Sequence, residues 1–160
     1  MEDVIQLKKN NILKIGIKDA NGNDTGEHLE FDMEDIELPL KLNECEAKHR
    51  KNLDFLKMQF VIIDKKEDKK GKFILSWKEE EKLKILQEFY KREMEALDLF
   101  LGQNGTNKLL NGRKPYYSMY EDISEMLEPI MPKLKLSADD IANKIKEKYS
   151  SKTNEKNVLE

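Results

Sequence analysis

The apolar residues of this chain change their spacing once, and that change limits the folds open to it more than any single motif does. Between residues 12 and 33 they alternate: Leu13, Ile15 and Ile17 are separated by Lys14 and Gly16, and Leu29, Phe31 and Met33 by Glu30 and Asp32. A repeat of two puts every second side chain on one face, so each run predicts a half-buried strand. Residues 19–26, Asp-Ala-Asn-Gly-Asn-Asp-Thr-Gly, are dense in types that tolerate positive φ. Strand, turn and strand make a β-hairpin over 12–33. A lone hairpin is marginal in water, so its apolar face must lie on a helix or pair with another hairpin.

From residue 35 onward the step becomes three and four. Asp35 as N-cap and Pro39 in the first turn open a helix over 35–64, with Leu42, Cys45, His49, Leu53, Leu56, Phe60 and Ile63 along one face. Residues 65–72 carry no apolar side chain and read as a solvated connection. Ser76-Trp77-Lys78-Glu79 is a capping box, opening a helix over 76–102 through Leu83, Leu86, Phe89, Tyr90, Met94, Leu97, Phe100 and Leu101 that stops at Gly102. The elements then shorten. Residues 106–131 hold short helices: one turn over Thr106–Leu110, closed by Asn111-Gly112, then a third helix that begins with Pro115, Tyr116, Tyr117 and Tyr120 and is broken by Pro129 and Pro132. Ser137 caps a last amphipathic helix over 137–149 with Ile141, Ile145 and Tyr149 on one side. Residues 1–11 are expected to be flexible and 150–160 disordered, with Leu159-Glu160 matching a vector remnant. No repeat of 20 to 50 residues is present. The expectation is a mainly α (α+β) single domain over 12–149, a helical body with an N-terminal β-hairpin.

Composition excludes several function classes. The chain is 38% charged and 38% hydrophobic, against about 25% and 45–50% for an ordinary globular domain, so the core is thin and the surface heavily solvated. No stretch approaches the roughly 18 apolar residues of a spanning helix, and the opening MEDVIQLKKN has no signal-peptide segment, so a cytoplasmic protein with no membrane partner is expected. Lys and Arg total 29 and Asp and Glu 32, giving a net charge of −3. The two signs are interspersed, which argues against a nucleic-acid partner. Cys45 stands alone with His28 and His49, too few soft ligands for a disulfide or a zinc site. Neither cofactor nor metal is expected.

Some local patterns imitate sites. Asp19, Asn21, Asn23 and Glu30 stand at calcium-loop spacing, but position six is Asp24 in place of glycine and the flanks alternate as strands. Asp24-Thr25-Gly26 resembles an aspartic-protease tripeptide with polar flanks and no second copy. Cys45 and His49 are four apart on one helix, as a nucleophile and base could be, yet they lie on the apolar stripe and no orienting third group is nearby. The reading is non-enzymatic. By contrast, Phe89, Tyr90, Met94, Phe100, Tyr116, Tyr117, Met119, Tyr120 and Met126 crowd about 40 residues, and Tyr and Met on short helices beside glycines are the makings of a helix-binding groove.

The order of elements resembles the tail assembly chaperones of long-tailed phages and prophages of Gram-positive bacteria. The likeness rests on the Ile15-Ile17 to Phe31-Asp32 hairpin leading into Glu37-Leu38-Pro39-Leu40-Lys41-Leu42, on the helix from Phe89 to Gly102, and on Gly105 to Gly112 followed by an acidic aromatic helix through Tyr120-Glu121-Asp122-Ile123. It covers roughly residues 12–134. The resemblance implies a chaperone that coats the apolar, coiled-coil-prone tape measure protein until tail tube subunits polymerise around it, in the bacterial host cytoplasm. The tape measure protein is then the expected partner, with the tail tube protein and self-association through the hairpin edges as further contacts. Aromatic density places client contact on Phe100, Leu101, Leu109, Leu110, Tyr116, Tyr117 and Tyr120. The alternative is a permanent virion component, a head-tail connector or tail-completion protein.

Overall fold

A computed structural model describes residues 2–8 and 11–159, with side chains throughout that range except at 137 and 151–159. The element order is β1 (Ile12–Lys18), β2 (Asp24–Asp32), α1 (Leu38–Asp64), α2 (Trp77–Leu101), α3 (Gly105–Leu110), α4 (Met119–Leu127) and α5 (Met131–Leu159). The change from period two to period 3.6 therefore yields a mainly α chain with an N-terminal antiparallel hairpin.

The hairpin register pairs Leu13 with Phe31 and Ile15 with Leu29, so the alternating apolar residues of both strands share a face. Asp19 builds the turn: its N–H donates to the Asn23 carbonyl at 2.8 Å, and its carboxylate accepts from the N–H groups of Asn21 and Asn23, each at 2.9 Å. Gly22, at φ 82°, supplies the left-handed residue. The hairpin lies against helices, the first of the two arrangements its apolar face allows. Phe31, 1% exposed, meets Phe100 of α2 with ring centroids 5.2 Å apart.

Helices α1 and α2 run antiparallel, as their cross-contacts show: Phe60 meets Lys82, Phe55 meets Arg92 and Asn52 meets Glu93, one number rising as the other falls. Ser76 and Glu79 form both halves of the predicted capping box, and Gly102 ends α2 at φ 93°. The core gathers where α1 begins and α2 ends. There Ile17, Leu29, Phe31 and Met33 of the hairpin region bury against Leu38, Cys45, Leu97, Phe100 and Leu101, together with Met119, Ile123, Leu127, Ile130 and Leu134. α1 has 27 residues and is about 40 Å long, so the pair projects from this core as an arm that ends in the connection 65–76.

α3 is pinned to α2 by Asp98, whose Oδ1 accepts from the N–H and the hydroxyl of fully buried Thr106, both at 2.9 Å. A Cβ on Gly105 would stand 2.5 Å from the Leu101 Cβ, so only glycine allows this approach. Left-handed Asn104 and Asn111 bracket the helix.

The boundaries differ from expectation at several points. Asp35 is not the N-cap. It forms a turn one step earlier, accepting at 2.9 Å from the Glu37 N–H, while Glu37 occupies the cap position. The third helix begins at Met119, because Pro115 has no N–H to donate and the following tyrosines form a turn in which Met119 N–H bonds the Tyr116 carbonyl. Pro129 does fall in the break after α4, whereas Pro132 lies in the first turn of α5, where its missing N–H costs nothing. Residue 137 is therefore inside α5 and not at its N-terminus. Helix continues over 150–159, in place of the expected disordered tail; residue 160 is outside the described residues.

Candidate binding groove

A two-stranded sheet leaves each strand one unpaired edge, and among the described residues β1 pairs only with β2. One flank of β1 and its turn, residues 15–21, forms a wall of a groove of about 470 Å³; Leu109 and Leu110 of α3, Met119, Ile123 and Met126 of α4, and Tyr116 supply the apolar side chains facing it. Local folding places each of them. The glycine and asparagine brackets turn α3 so that its last two leucines face the hairpin, and 119, 123 and 126 follow the three-four step along one face of α4. The rim carries both signs, with Lys18 and Arg113 beside Asp19 and Asp122.

Tyr116 is held in the wall. Its hydroxyl donates to Asp122 Oδ2 at 2.8 Å, and the Arg113 guanidinium carbon stands 3.8 Å from its ring centroid. The bond to the Asp122 carboxylate, helped by burial, keeps the phenol proton on above its ordinary titration range. An apolar floor with a fixed aromatic and a mixed-charge rim suits an apolar polypeptide segment flanked by charges.

The residues expected to touch a client separate into three groups. Phe100 and Leu101 are each 4% exposed and belong to the internal core. Leu109, Leu110 and Tyr116 line the groove. Tyr117 is 94% exposed and outside the lining, and Tyr120 points inward, its hydroxyl donating to Glu46 Oε1 at 2.7 Å and its ring stacked on His49 at 3.5 Å. Met119 and Met126, members of the aromatic and methionine set, line it too, whereas Ile123 and the β1 wall are lining that the set does not reveal. Their signal is the strand alternation itself, combined with the three-four step of α4.

Behind Tyr120 lies a buried polar network. Glu93, 1% exposed, accepts from His49 Nδ1 at 2.6 Å and from Asn52 Nδ2 at 2.8 Å. These three occupy stripe positions between the long helices, so they fix the pairing of α1 with α2. His49 thus has its partner in Glu93, not in Cys45. Burial, reinforced by the carboxylates of Glu46 and Glu93, pushes the Cys45 thiol up to about 11, which leaves it protonated and inert at neutral pH. The shift from 9.0 to about 11 predicts that at pH 8 native Cys45 reacts with a disulfide reagent about 100-fold more slowly than in the urea-unfolded chain. Because the folded thiol holds its proton longer than the unfolded one, its stabilising contribution is complete below pH 9.0 and is lost as pH rises toward about 11. Comparable rates in the two states would show that the thiol is accessible and ionised.

The hairpin patterns that imitate sites are internally engaged. Asp19 serves its own turn, Asp24 Oδ1 accepts from the Gly26 N–H at 2.9 Å, and the Thr25 hydroxyl donates to the Ile17 carbonyl at 2.7 Å. No protein-family model matches the chain, and neither does any curated protein or solved structure.

Proposed function

We propose that the protein is a tail assembly chaperone of a long-tailed phage or prophage, which binds the tape measure protein in the host cytoplasm and keeps it soluble until the tail tube forms. The observation that carries this reading is the groove between β1 and α3–α4, lined by Leu110, Tyr116, Ile123 and Met126. A client with exposed apolar helical stripes needs such a surface on a partner whose remaining exterior is charged. Met126, half-exposed in the wall, suits a client with apolar stripes, since a thioether side chain repacks readily. Among the described residues no helix is long and apolar enough to cross a membrane.

Co-expression tests the proposal. The tape measure protein of the same tail gene cluster should be insoluble alone, soluble with this chain and recovered in complex with it, and mass spectrometry of finished particles should lack the chain. Stoichiometric presence in purified virions would replace the chaperone with a structural component.

A further inference from the structure

The connection at the end of the arm is built, and it displays apolar side chains instead of covering them. Asp68 Oδ1 accepts from the N–H groups of Lys69 and Lys78 at 2.8 and 3.0 Å, and the Trp77 N–H donates to the Lys69 carbonyl at 2.9 Å. A Cβ on Gly71 would meet the Leu75 carbonyl oxygen at 1.7 Å, so glycine is required for the chain to fold back here. The apex of this closed loop is Phe73-Ile74, 91% and 94% exposed. Around it Lys65, Lys69, Lys70 and Lys72 are exposed and enter no ion pair among the described residues, while Lys78 and Lys82 are occupied by Asp64.

We infer that the tip of the α1–α2 arm docks on an anionic lipid bilayer, with Phe73 and Ile74 entering the interface and the surrounding lysines contacting headgroup phosphates. Charge supports this occupant. Residues 65–76 hold five lysines against two acids, a local +3 within a chain of −3, so the remainder carries −6. An anionic surface attracts the tip and repels the body, which orients the arm end-on. Shape supports it as well. Two adjacent side chains on a convex apex have no walls of their own, and a deformable bilayer supplies the apolar surroundings that a rigid protein partner would need a dedicated pocket to offer. The absence of a spanning segment does not bear on such surface docking, which needs only an apolar wedge and a basic collar. The inference is independent of the groove, which lies at the other end of the helical pair.

Trp77 is the single tryptophan and adjoins the loop, so its emission reports docking directly. The full chain is mixed with vesicles of phosphatidylcholine, alone or with about a third phosphatidylglycerol, and followed by flotation and fluorescence. Expected is binding with a blue shift on the anionic vesicles alone, reversed by salt. The Phe73→Ser/Ile74→Ser variant, with an unchanged melting curve, should bind at least about tenfold more weakly, and each of Lys69→Gln, Lys70→Gln and Lys72→Gln should cost roughly fivefold. No binding to anionic vesicles at low salt would overturn the inference, as would undiminished binding by the Phe73→Ser/Ile74→Ser protein. Retention on a single-stranded oligonucleotide without vesicle binding would overturn it in favour of a nucleic-acid contact.

Discussion

Replacing Glu93 with alanine is expected to cost about 3–5 kcal/mol, a large fraction of the roughly 5–15 kcal/mol that holds a domain of this size together. The substitution leaves two donors, His49 Nδ1 and Asn52 Nδ2, without the acceptor they now share, and it opens a void between the two long helices. Desolvated donors lose the full penalty of the missing bond. Glu93→Gln should be milder, since an amide oxygen still accepts from Asn52 and the amide group can donate to a neutral His49 in its other tautomer. Asn52→Ala in the Glu93→Ala background should add little, because the two act as a unit. Urea unfolding measures all of these. A loss below about 1 kcal/mol for Glu93→Ala would show that the network is not what sets the register of α1 on α2.

Much of the architecture is legible because it follows from spacing. The alternation of Leu13, Ile15 and Ile17 with Leu29 and Phe31, the capping box at Ser76 and the positive-φ residues around α3 act within a few positions of themselves and appear where the pattern puts them, although β2 begins at Asp24, inside the residues read as turn, and ends before Met33. Asp35 and Pro132 mislead for one reason. Residue type marks the neighbourhood of a helix end, whereas the end itself is decided by which backbone donors tertiary contacts leave free. Glu93 is hidden for another: a glutamate at a stripe position reads as solvent-facing until His49 and Asn52, more than 40 residues away, are seen to need an acceptor. The groove is half legible. Leu109, Leu110 and Tyr116 stand out as an apolar and aromatic cluster, but the β1 wall belongs to it only through the way the hairpin docks. Phe100 and Tyr120 show the limit of counting aromatics, since density alone does not separate a core ring or a stacked, hydrogen-bonded one from a surface one.

Leu110 and Met126 give the sharpest handle on function, because both line the groove and neither belongs to the fully buried core. Each apolar side chain covered by a client contributes about 1.5–3 kcal/mol of burial, and a carboxylate in its place must be desolvated on binding. Leu110→Asp with Met126→Glu should therefore weaken client binding by at least about 100-fold. Met126→Glu alone, at the more exposed position, keeps the test valid if the double variant folds poorly. Isothermal titration of a purified apolar helical segment of the tape measure protein, into wild type and into these variants with matched melting curves, is the most direct measurement of the central claim. Saturable binding to the wild type, abolished by the groove substitutions, is the expected result; equal affinity for wild type and folded variants would place the client elsewhere and contradict a role for the groove in binding it.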